Sequence, residues 1–87
     1  MEKVRKLVSS SFKLVIRVPK AHSAFTYFQL EANENLCFYS TLDESLGKPY
    51  RDLMLQGSIE FYAEVKRLLD FLSREFTIEY LEDLPKL

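Results

Sequence analysis

"FKLVIRVPKAHSAFTYFQLEAN" (residues 12–33) changes periodicity at a single proline. Upstream, Phe12, Leu14, Ile16 and Val18 alternate with Lys13, Val15 and Arg17, the period-two pattern of a half-buried strand. Pro19 ends that strand. Downstream, Ala21, Ala24, Phe25, Phe28 and Ala32 recur at helical spacing and predict a core-facing stripe, with Asn33 or Asn35 as the left-handed residue that stops the helix. A strand that feeds a helix through so short a junction is the first half of a layered α/β unit.

The remaining residues extend this unit. "LCFYSTL" (36–42) returns to period two and is rich in strand formers. "DESLGKP" (43–49) is a turn broken by Gly47 and Pro49. "YRDLMLQ" (50–56) is a second alternating strand, so the two read as a hairpin. Gly57 and Ser58 mark the next junction, with Ser58 as an N-cap. "IEFYAEVKRLLDFLSRE" (59–75) is the clearest helix, with Tyr62, Val65, Leu68, Leu69 and Leu72 along one face. "TIEYL" (77–81) closes as a strand. The order is β-α-β-β-α-β. Right-handed crossovers then place two helices on one face of a four-stranded antiparallel sheet, an α+β ferredoxin-like sandwich with spatial strand order 4-1-3-2. One domain is expected over 12–83, preceded by a flexible basic arm (1–11) and followed by a tail (84–87).

The 87 residues are 47% hydrophobic, with seven Phe and five Tyr. That composition supports a core without disulfides or metals. The lone cysteine, Cys37, excludes an intramolecular disulfide and fits a reducing compartment. Lys13 and Arg17 interrupt the apolar N-terminal stretch, and no small-residue cleavage site follows, so neither a signal peptide nor a membrane span is expected. These features predict a cytoplasmic protein. Net charge is −1, yet residues 1–30 carry six basic residues and one Glu, whereas residues 31–87 carry six basic and twelve acidic residues. Pairing between the two parts is the simplest use of that asymmetry.

With Phe12, Leu14, Ile16 and Val18 under the helices, the opposite sheet face is expected to hold Lys13, Val15 and Arg17, then Cys37, Tyr39 and Thr41, then Asp52, Met54 and Gln56, then Thr77, Glu79 and Leu81. Lys13 and Arg17 lie between strands bearing Asp52 and Glu79 and should form cross-strand ion pairs. The apolar members of this face exceed what a solvated sheet needs. They predict an interaction face built on Val15, Arg17, Tyr39, Met54 and Leu81, for a second copy of the chain or for another protein.

Other functions that such sandwiches host fit these residues less well. RNA recognition needs aromatics on the central strands, where this chain places Asp52, Met54 and Gln56; nucleic acid is therefore not the expected partner. The first loop, "PKAHS", has neither the paired cysteines of a metal carrier nor the glycines that let a backbone wrap a phosphate. No nucleophile or acid is spaced to partner His22, so no catalytic residue, cofactor or metal is assigned. His22 reads as a partly exposed residue of the first helical turn. Phe25, Phe28, Phe61, Phe71 and Phe76 are expected in the core, Tyr27 is placed toward the outer surface, and Tyr62 and Tyr80 are expected with their hydroxyls at the core rim.

"LEANENLCFYSTLD" (30–43) and "EVKRLLDFLSREFTIEYLED" (64–83) resemble a family of small uncharacterised bacterial ACT-like domains, over roughly residues 12–83. The resemblance implies the same fold and a bacterial cytoplasmic origin. ACT domains bind ligands at dimer interfaces through the loop after the first strand, which here offers Lys20, His22 and Ser23. The expected function is a non-enzymatic regulatory or protein-interaction module that forms a homo-oligomer, with small-molecule sensing of an amino-acid type as the alternative.

Overall fold

The computed structural model describes residues 11–85, so the basic arm expected before β1 lies, but for Ser11, outside the described residues. β1 (Ser11–Pro19) leads through a 3-10 turn (Lys20–His22) into α1 (Ser23–Ala32). β2 (Phe38–Thr41) and β3 (Tyr50–Ser58) form the hairpin, with a second 3-10 turn (Asp43–Ser45) between them. A third such turn (Ile59–Phe61) opens α2 (Tyr62–Leu72), and β4 (Glu79–Leu84) ends the fold. The sheet is antiparallel throughout, with order β2-β3-β1-β4. This is the expected ferredoxin-like arrangement, with β1 and β3 central.

The alternation of β1 determines the core. Phe12, Leu14, Ile16 and Val18 are buried against Leu53 and Leu55 of β3, Leu30 of α1 and Val65, Leu69 and Leu72 of α2. Burying a Leu, Ile or Phe side chain is worth roughly 1.5–3 kcal/mol each, so this strand supplies much of the driving force. Gly57 is needed for close approach. A Cβ there would stand 2.8 Å from the Leu36 carbonyl oxygen and 2.9 Å from the Phe12 ring. Gly47 has φ of 85° and makes the left-handed turn of the hairpin loop.

Four local readings are corrected by the fold. The first helix buries Thr26 and Leu30, while Ala21, Ala24, Phe25, Phe28 and Ala32 face outward. Tyr27, assigned to the outer surface, packs against the core. α1 ends without a left-handed residue: Asn33 has φ of −118° and its backbone N–H donates to Leu30. β4 begins later and runs further than 77–81. Its pairing with β1 also shifts between Val15 and Ile16, where Leu81 is the extra residue of a β-bulge. Of the other rings, Phe61 and Tyr62 pack against the core and Phe76 is buried within it, as expected.

Candidate interaction surface on the open sheet

Cross-strand register defines the face turned away from the helices. Val15 lies opposite Met54 on β3 and Glu82 on β4, Lys13 opposite Gln56 and Leu84, and Arg17 opposite Asp52 and Glu79. Ser40 and Phe38 of β2 continue the face beside Met54 and Gln56. Among the expected interaction residues, Val15, Arg17 and Met54 are therefore on this face.

Four of the charges of the face pair within its plane, while Glu79, exposed beside Arg17, makes no ion pair among the described residues. Arg17 donates from Nε to Asp52 Oδ1 at 2.8 Å and from Nη2 to Asp52 Oδ2 at 2.9 Å, the bidentate geometry that suits a planar guanidinium to a carboxylate. Those bonds raise the guanidinium pKa above its ordinary value. The same group lies 3.9 Å from the Tyr50 ring centroid, a cation–π contact. Lys13 Nζ sits 3.4 Å from Glu82. Asp52 is buried in this arrangement. The cross-strand ion pairing read from the sequence is thus present, with Glu82 as the acid for Lys13. Between the two pairs lie Val15 and Met54, and at the rim Phe38 is 82% exposed.

Tyr39 and Leu81 are not placed as expected. Tyr39 pairs with Leu55, whose side chain is in the core, so Tyr39 belongs to the helix side. Its hydroxyl donates to Glu31 at 2.7 Å, and its ring stacks on Tyr27 at 5.7 Å. The bond to Glu31 pushes the Tyr39 phenol up to about 12. Cys37 and Thr41 share that side. Cys37 joins the core, where burial pushes its thiol up to about 11, and the Thr41 and Tyr27 hydroxyls are 2.7 Å apart. Phe38, missed by the sequence reading, takes the place given to Tyr39. Leu81 is the bulge residue and Glu82 occupies the face position opposite Val15; Thr77 precedes the strand. Both phases of "LCFYSTL" hold strand formers, so only the pairing with β3 discriminates them.

The loop after β1 separates its candidates. The Lys20 N–H donates to the Pro49 carbonyl at 2.9 Å, and the Ser23 hydroxyl donates to the Lys20 carbonyl at 2.8 Å. The first bond ties the turn to the residue before β3, and the second closes the turn on itself. His22 is exposed and stacks on Phe76, with centroids 4.6 Å apart and planes 13° from parallel. It lines a shallow cavity of about 320 Å³ with Phe25, Phe71 and Glu75, and neither Lys20 nor Ser23 lines that cavity. Phe25, Phe28 and Phe71 were expected in the core but are 43%, 68% and 54% exposed. On the inner side of α2, Tyr62 and Lys66 reach Asp83 at 2.6 Å and 2.8 Å. The bond to Asp83 raises the Tyr62 phenol above its ordinary pKa.

No protein-family model, curated protein or solved structure matches the chain. None of the described helices is long and apolar enough to cross a membrane.

Proposed function

We propose that this chain is a non-enzymatic, ACT-like regulatory or protein-interaction module that pairs with a second copy of itself through the open face of its sheet. The observation that carries the reading is the ion pairing at the centre of that face. Arg17 is bound by Asp52 and Lys13 by Glu82, so covering half-buried Met54, beside the already buried Val15, leaves these four charges paired and lowers the main cost of burying a polar sheet; Glu79 lies at the outer edge, on β4. The face also bears both signs in fixed rows around an apolar centre. A two-fold apposition sets that centre against itself and brings the basic row of β1 within reach of the partner's carboxylates. His22 stacks on Phe76, which gives the ring a packing role at the start of α1.

Analytical ultracentrifugation tests the reading. The wild-type chain is expected to sediment as a dimer at high concentration, and Met54→Glu, which puts an unpaired carboxylate at the centre of the face, to sediment as a folded monomer. A wild-type chain that stays monomeric up to millimolar concentration overturns it, as does a Met54→Glu dimer of unchanged affinity.

A further inference from the structure

One end of the sheet gathers an acidic and apolar groove. β1 begins, β3 ends and β2 begins at that end, since Ser11 pairs with Ser58 and Phe38 with Gln56. Two adjoining cavities of about 210 and 220 Å³ open there and share Glu34, Cys37 and Phe38. Glu31 is among the other residues that line the first, and Leu36 and Phe61 among those that line the second. Among the described residues, no Lys or Arg lines either cavity. Glu34 is exposed and makes no ion pair among the described residues. Phe38 lines both cavities, on a strand at the edge of the sheet whose outer side pairs with no other strand among the described residues.

The chain holds a segment of matching chemistry joined directly to β1. Residues 1–10, "MEKVRKLVSS", carry Lys3, Arg5 and Lys6 with Val4, Leu7 and Val8 interleaved, and a single acid, Glu2. We propose that this groove is the intramolecular docking site of residues 1–10. Basic side chains meet Glu31 and Glu34, and apolar ones cover Leu36, Phe38 and Phe61. The reach is sufficient: β2 is two strand spacings from β1, about 10 Å, whereas ten extended residues span roughly 33 Å. Opposite charge supplies orientation and a salt-sensitive attraction, and the apolar contacts supply area. The uneven charge of the sequence thus has a use within one molecule. The proposal is independent of pairing through the sheet face.

Amide hydrogen exchange by NMR on the full chain tests it. At low salt, amides of residues 3–8 are expected to exchange at least fivefold more slowly than in an unstructured peptide of the same sequence. That protection should fall toward the peptide rate in 0.5 M salt and in Glu34→Lys, whose exposed side chain can be replaced without touching the core. It should be unchanged in Met54→Glu and on tenfold dilution. Peptide-like exchange in the wild type overturns the proposal, as does protection indifferent to both salt and Glu34→Lys. Protection that disappears on dilution also overturns it, because the docking would then be between molecules.

Discussion

α1 and α2 pack on the same side of one sheet, but only α2 does so with the stripe its sequence advertises. α2 buries Val65, Leu69 and Leu72 and turns Glu64, Arg67 and Asp70 to solvent. α1 buries Thr26 and Leu30, with Tyr27 against the core, and turns Phe25 and Phe28 outward. The difference lies in what stands opposite the stripe. In α2 the other face is charged, so one orientation costs far less than the reverse. In α1 both faces are apolar enough to bury, so its composition selects neither; a 3-10 turn of three residues precedes each helix and does not distinguish them. Thr26 can be buried because its hydroxyl donates to the His22 carbonyl at 2.9 Å, leaving no polar group unpaired.

The comparison breaks if the inward residues of the two helices differ in kind. Leu69→Ala and Leu30→Ala are each expected to lower unfolding free energy by about 2–5 kcal/mol in chemical denaturation, the cost of a cavity in a close-packed core. A Leu30→Ala loss near zero would mean that α1 is not anchored by its narrow inner stripe. Next in size is an effect of pH on the edge strand that α1 covers. The Cys37 thiol is held at about 11 against an ordinary 9, so the fold favours the neutral form. Its contribution to stability is complete below pH 9 and is lost as pH rises from about 9 to 11. Thiolate absorbance against pH should place the midpoint near 11, and an ordinary midpoint in the folded chain would move Cys37 out of the core. The smallest expected effect sharpens the contrast. Phe28→Ser on the outer side of α1 should change stability by no more than about 0.5 kcal/mol, and a loss of 2 kcal/mol would show that this ring packs inward in solution.

β1 and β3 were legible because charged or polar side chains mark their outer phase: Lys13 and Arg17 on one, Asp52 and Gln56 on the other. Element order and strand order followed, and with them Val15, Arg17 and Met54 of the candidate face. β2 was not legible, since Leu36, Phe38 and Ser40 suit a pleated surface as well as Cys37, Tyr39 and Thr41 do, and the long hairpin loop leaves register open. Tyr39 and Phe38 therefore exchanged faces. His22 was correctly placed at an exposed helix start, but its stacking on Phe76 joins residues 54 positions apart, which no local pattern encodes.

The extra residue in β4 has one more consequence. In a regular strand, residues three apart point to opposite faces. With Leu81 inserted, Glu79 and Glu82 both fall beside the open-face residues Arg17 and Val15, while Tyr80 and Asp83 both fall beside core residues of β1. Lys66 uses that second pair, with its ammonium 2.8 Å from Asp83 and 4.4 Å from the Tyr80 centroid. Any point substitution at 81 leaves this counting intact. Deleting the residue would set Tyr80 directly beside Glu82 and leave all four side chains on their present faces in regular alternation, so the deletion removes the kink of the strand and keeps its pairing.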